Sequence, residues 1–160
     1  MTGVGRNLIG TAAAVTAAAA AGSVAASATR SPWYKKLDKP AYQPPPQVFP
    51  IVWTTLYADI AATSASALTA LEWRPHERRR YRVALLTNLA LNASWSWVFF
   101  RSRRLGLATL VAALLAASSA DLVRRTGSAT GRAGVLLSPY AVWCAFATVL
   151  SAGIWRRNTR

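Results

Sequence analysis

The sequence predicts an all-α fold: an integral membrane bundle of five transmembrane helices. Three observations carry this. Five uncharged or nearly uncharged runs, each close to the ~20 residues a helix needs to cross a bilayer, alternate with short clusters of Lys and Arg. Hydrophobic residues make up 53% of the chain and charged residues 15%, against about 25% charged in an ordinary soluble domain. None of the runs shows the period-two alternation of a half-buried strand.

The first span covers 7–29, between Arg6 and Arg30, and is mostly alanine. Gly10, Ala14, Ala18, Gly22 and Ala26 recur at every fourth position, a stripe suited to close helix packing. The competing reading is a cleaved signal peptide, with Arg6 as its basic start and Ala26-Ser27-Ala28 as its small-residue cleavage site. The run is longer than an ordinary signal core, which favours a retained helix. A polar connection over 30–46 follows, where Pro40, Pro44, Pro45 and Pro46 oppose regular helix. Long connections of this kind are often functional.

The second span is 47–71, with Asp59 near its middle, and an Arg-rich loop follows it. The third is 83–100, the fourth 105–123 and the fifth 133–155, with a turn expected over 127–131. One domain over 1–160 accounts for the whole chain. Five spans place the two ends on opposite sides. One side then carries nine basic residues and the other ten, so the positive-inside rule gives no preferred orientation.

The net charge of +14 is spread in clusters between apolar runs. That suits lipid headgroups or an acidic ligand at the membrane surface, and argues against nucleic acid as a partner. A single cysteine, Cys144, and a single histidine, His76, give no metal-ligand set and no intramolecular disulfide. The Ala- and Arg-rich composition suits a bacterial cell membrane.

Helical spacing then sorts the side chains. Trp53 and Tyr57 share one face of the second span, and Asp59, about 240° around from Trp53, points away from it. An Asp at mid-bilayer costs roughly 2.5–3.5 kcal/mol and so needs a partner or water. Asn88, Asn92, Trp95 and Phe99 form a polar-aromatic stripe on the third span, fit either for interhelical bonds or for ligand contact. Ala108, Ala112, Ala116 and Ala120 read as a packing seam. Pro139, Trp143, Phe146, Ala147 and Leu150 share a face of the fifth span, where small Ala147 beside Trp143 leaves room for something flat. Trp33, Trp73 and Trp155 lie at span ends, where indoles anchor in the headgroup zone, whereas Trp53, Trp95 and Trp143 lie deeper.

Several segments together resemble one family. They are Trp33-Tyr34 with Leu37, Lys39-Pro40 and Pro44-Pro45; Trp53 with Leu56-Tyr57; Leu89-Ala90-Leu91-Asn92 with Trp95 and Phe99-Phe100; and Leu136-Leu137, Pro139-Tyr140, Trp143, Phe146-Ala147, Leu150, Trp155-Arg156 and Asn158. In this order and spacing the chain is similar to the TspO/MBR family of tryptophan-rich sensory and translocator proteins, which includes peripheral-type benzodiazepine receptors. The resemblance implies a five-helix protein, often a homodimer, with an apolar pocket in the bundle capped by the first connection.

It further implies porphyrin or other tetrapyrrole binding, with protoporphyrin IX or heme as ligand, no required cofactor, and a sensory, regulatory or transport role. Alternatives it implies are light-dependent porphyrin degradation, with Trp53 and Trp143 as the catalytic indoles, and transport of a sterol, lipid or small molecule. The implied ligand contacts are Trp33, Tyr34, Trp53, Tyr57, Asn92, Trp95, Trp143, Phe146, Ala147 and Leu150, with Lys35, Lys36 and Lys39 available to propionates. The chain departs from the family pattern at Asp59, Trp97 and Ser151, and Ala152-Gly153-Ile154 lacks the tyrosine of the animal cholesterol-recognition segment.

Overall fold

The computed structural model describes residues 3–159 of the chain. Five long helices form the bundle, with a five-residue helix on one end. They are α1 (Gly3–Ala26), the short α2 (Pro32–Lys36), α3 (Val48–Ala70), α4 (Pro75–Ser96), α5 (Leu105–Ala129) and α6 (Gly131–Asn158). A 3-10 turn (Ser27–Arg30) follows α1 and a π turn (Trp97–Arg101) follows α4. The long helices close into a ring in the order α1, α3, α6, α5, α4. Among the described residues, four of the five stretches are long and apolar enough to cross a membrane; α3 is not. Asp59 and a series of Thr and Ser residues lower the apolarity of α3. Thr55, Thr63 and Thr69 satisfy their hydroxyls on the carbonyl oxygens of Ile51, Asp59 and Ala65, one turn back.

Several boundaries differ from those expected. The Arg-rich stretch after the second span is not a loop: Pro75 sits in the first turn of α4, and the helix runs through Arg78 to Arg82. Pro at the first helical position costs no hydrogen bond, and Arg is a strong helix former whose long stem reaches to the membrane surface. The turn expected over 127–131 shrinks to Thr130 alone, because α5 continues to Ala129 and α6 starts at Gly131. The Pro-rich connection is non-helical from Leu37 onward, but Pro32–Lys36 ahead of it is helical, capped by the Ser31 hydroxyl accepting from the Tyr34 N–H.

The fourfold stripes also rotate. On α1 the buried positions are Asn7, Thr11, Val15, Ala18, Gly22 and Ala25, while Gly10 has nothing near it. On α5 they are Ala108, Ala112, Leu115, Ser119, Leu122 and Thr126. A strict step of four drifts 40° per step around a 3.6-residue helix, so a buried face must alternate steps of three and four.

Apolar burial discriminates little between helix–helix and helix–lipid contact, so close packing and interhelical hydrogen bonds must hold the ring. Both are present. The Thr11 hydroxyl donates to the Ala61 carbonyl at 2.8 Å and the Trp97 indole to the Ala21 carbonyl at 2.9 Å, tying α1 to α3 and to the π turn. The Tyr81 hydroxyl lies 3.1 Å from Ser64 and 2.9 Å from Thr126, joining α3, α4 and α5. At the same end, Asn7 donates to Thr69 and accepts from Arg78.

Candidate functional site

The half of the bundle beneath the Pro-rich connection holds most of the deeper aromatic rings. On α3, Trp53 stacks on Tyr57 with ring centres 5.5 Å apart, as their four-residue spacing requires. Trp143 of α6 meets Trp53 edge-on at 6.5 Å, Phe49 at 6.0 Å and Phe146 at 5.3 Å. A second cluster lies closer to the membrane surface, where Trp95 stacks on Phe99 at 5.4 Å. Trp33 and Tyr34 of α2 pack on Phe99 from above, at 6.2 and 6.4 Å. Leu150 is buried in this second cluster, and Phe49 and Phe146 pack against it as well, joining the two groups into one aromatic wall. Burial raises the Tyr34 phenol above its ordinary value.

Two features of this wall point to a ligand. The indole N–H groups of Trp95 and Trp143 are buried and have no hydrogen-bond partner among the described residues. A buried donor without an acceptor costs about 1–3 kcal/mol, a cost that an acceptor on a bound molecule would relieve. Beside Trp143, an apolar groove of about 630 Å³ opens sideways between α3 and α6. Its walls are Val52, Leu56, Ser138, Pro139, Val142, Trp143 and Phe146, and its size falls within the ~300–1,000 Å³ of small-molecule sites.

The expected contacts divide accordingly. Trp143 and Phe146 line the groove, with Trp53 behind Trp143 and Tyr57 stacked on Trp53. Trp33, Tyr34, Trp95 and Leu150 belong to the outer cluster, and Ala147 is half-buried, four residues beyond Trp143. Asn92 does not face the groove. Its Oδ1 accepts from the Tyr57 hydroxyl at 2.8 Å and its Nδ2 donates to Tyr140 Oη at 3.2 Å. Tyr140 in turn donates to Asn88 Oδ1 at 2.7 Å, and Asn88 Nδ2 donates to Ser119 at 3.0 Å and Ser118 at 3.2 Å. This chain of bonds crosses α3, α4, α6 and α5. Asn92 thereby fixes Tyr57, on which Trp53 stacks. Tyr140 is the residue that spacing did not single out. A tyrosine buried at bilayer depth must find a hydroxyl partner, and that was the available signal.

The connection over 30–46 caps the wall and is held by α6. The Asp38 N–H donates to Asn158 Oδ1 at 3.0 Å while Asn158 Nδ2 returns a bond to the Asp38 carbonyl at 2.9 Å. Tyr42 donates to the Val149 carbonyl at 3.3 Å. Its ring lies so close to Gly153 that a Cβ there would strike the Tyr42 hydroxyl and Pro40. Glycine at this position is what admits the cap. Lys39 is not free for an anionic ligand, since its ammonium donates to the Tyr34 and Leu37 carbonyls and sits 4.7 Å over the Tyr34 ring. Lys35 and Lys36 are exposed. Arg103, the one non-glycine residue at positive φ (55°) among the described residues, places its guanidinium 5.4 Å over Trp33. Asp59 is half-exposed on the side of α3 away from the aromatic wall.

Comparison with known proteins identifies one family. The model of the TspO/MBR family matches residues 11–156. The chain is 30% identical to Protein CrtK of Rhodobacter capsulatus over 142 residues, covering 89% of this chain and 88% of that protein. It is 34% identical to the human translocator protein over 131 residues, covering 79% and 75%. It is 32% identical to a tryptophan-rich sensory protein of Cereibacter sphaeroides over 126 residues, covering 79% and 77%.

Proposed function

This chain belongs to the TspO/MBR family and is an integral, multi-pass membrane protein, and from that we propose that it is a membrane receptor for planar tetrapyrroles such as protoporphyrin IX or heme, with a sensory or transport role. The observation that carries this reading is the pair of buried, unpartnered indole N–H groups of Trp95 and Trp143 within an aromatic wall. A porphyrin offers what such a wall lacks: a flat face for Trp143 and Phe146, and polar edges to accept from an indole. The groove opens toward the acyl chains, so an apolar guest reaches it from the bilayer. Its propionates would face the capped end, where Lys35 and Lys36 are exposed.

Protoporphyrin IX titrated into the protein in detergent is expected to quench tryptophan emission saturably. Trp143→Phe removes both the donor and part of the stacking surface, about 1–3 kcal/mol together, and weakens affinity by roughly tenfold. Equal affinity in the variant would refute the reading. Tighter binding of a sterol in the same titration would replace tetrapyrrole with sterol as the ligand.

A homodimer belongs to the same proposal. The exposed face of α3 carries Thr54, Ala58, Ala62 and Ser66 at four-residue steps, with Asp59 alongside, and a second copy laid there removes the carboxylate from lipid. Ala62→Cys in a Cys144→Ser background is expected to form a disulfide-linked pair in membranes. Only monomer after oxidation would exclude this face.

A further inference from the structure

At the end of the bundle opposite the cap, α4 and α5 flank a second, open groove of about 960 Å³. Its mouth is cationic, made by His76, Arg79 and Arg80 of α4 and by Arg124 and Arg125 of α5. Its floor is formed by Val83, Ala84, Thr87 and Ser118. None of these residues takes part in the aromatic wall, so a ligand held here is independent of the tetrapyrrole reading.

The arginines are arranged rather than merely numerous. Arg78 turns inward to Asn7, whereas Arg79 and Arg80 are exposed and make no ion pair among the described residues. Asp121 holds the other two, accepting from Arg124 at 2.6 Å and from Arg125 at 2.5 Å. One carboxylate shared by two guanidiniums fixes both while neutralising only one. With four arginines and one aspartate, the mouth keeps three uncompensated positive charges.

Depth orders the chemistry. At 1.5 Å per residue, Thr87 lies about 12 Å further along α4 than Arg79, and Ser118 lies about 9 Å further from the α5 terminus than Arg124. Moving inward, the groove therefore presents guanidinium groups first and then hydroxyls, with Val83 and Ala84 on the α4 wall between Arg80 and Thr87. Beyond Ser118, deeper along α5, lies Leu114, 50% exposed toward the hydrocarbon. Ser118 accepts from Asn88 and so keeps its own proton free to donate. This is the polarity sequence of a glycerophospholipid: phosphodiester, ester carbonyls, acyl chains. A soluble phosphate would use the mouth and leave the apolar floor bare. A zwitterionic lipid would bring its own ammonium against three positive charges.

We propose that the α4–α5 groove binds an anionic glycerophospholipid, with its phosphodiester held by Arg79, Arg80, Arg124 and Arg125 and its ester oxygens met by Thr87 and Ser118. The full chain reconstituted in phosphatidylcholine nanodiscs doped with phosphatidylglycerol or cardiolipin, then released into native mass spectrometry, is expected to retain one anionic lipid in preference to phosphatidylcholine. Each basic residue near a membrane surface contributes enough that Arg79→Gln with Arg80→Gln should lower retention about tenfold or more. Val83→Trp, which fills the floor and changes no charge, should also lower it. Arg79→Lys with Arg80→Lys keeps the charge and retains part of the binding, which reads out the site even if the glutamine pair folds poorly. A pair with the same charge loss at the other end, Arg104→Gln with Arg156→Gln, should bind as the parent does. Equal loss in that pair, full retention after Val83→Trp, or displacement by millimolar glycerol phosphate or inorganic phosphate would each overturn the proposal, the last by assigning the mouth to a soluble anion.

Discussion

Gly134→Ala is expected to destabilise the folded bundle by about 3 kcal/mol, the upper end of the cost of overpacking a tight interface. The cause is the hairpin between α5 and α6, whose turn is a single residue, Thr130. So short a connection forces the two backbones together at its base, where Gly127 faces Gly134. A Cβ on Gly134 would sit 2.5 Å from Gly127 Cα and 2.7 Å from its backbone nitrogen. The opposing atoms are main chain, so no rotamer change relieves the contact and the helices must separate. That would shift α6 as a whole, including Trp143 and Phe146. Thermal unfolding in detergent should show a clearly lowered midpoint, and protoporphyrin quenching should weaken with it. A melting curve matching the parent would mean that the hairpin is looser than its geometry states. The reciprocal Gly127→Ala meets only one atom, Gly134 Cα at 3.9 Å, and should be mild.

The second large effect is expected from Asn88→Leu, at about 2 kcal/mol. Asn88 makes three interhelical bonds, accepting from Tyr140 and donating to Ser118 and Ser119, and such bonds in membranes contribute on the order of 0.6 kcal/mol each, rising to about 1.7. Leucine also leaves the Tyr140 hydroxyl without its acceptor, at a site that is fully buried. Tyr140→Phe should cost less, since Asn88 keeps both serines. In the double variant the effects should fall short of additive, because the Tyr140–Asn88 bond is lost only once. Full additivity in a double-mutant cycle would show that the two side chains do not act through each other. The functional consequence runs along the same chain of bonds: Tyr140 holds Asn92, Asn92 holds Tyr57, and Trp53 stacks on Tyr57.

Much of the site was legible from spacing. Trp53 and Tyr57 share a face because four residues make slightly more than one turn, and Asp59 lies off that face for the same reason. Asn88 and Asn92 were expected to bond between helices or to meet a ligand, and the structure commits both to neighbouring helices. What spacing could not supply was the partner. Tyr140, which takes a bond from Asn92 and gives one to Asn88, comes from a helix 48 residues away. The commitment of Lys39 to the Tyr34 and Leu37 carbonyls was equally invisible, because a cation near a proposed acidic ligand looks available until the backbone folds around it.

The primary structure is enough to establish that this chain crosses a membrane as helices. Backbone groups in hydrocarbon must bond within their own segment, and apolar runs of that length permit only that solution. It determined the order of the segments and which aromatic side chains share a helix face, since both are properties of one segment and its period. Tertiary structure alone decided which faces turn inward, as the rotated stripes of α1 and α5 show, and that α4 and α5 lie side by side so that their arginines line one groove. Those outcomes depend on how five helices pack, and lipid offers little hydrophobic bias to choose among the arrangements. The choice falls instead to a few glycine contacts and buried hydrogen bonds whose partners lie far apart along the chain.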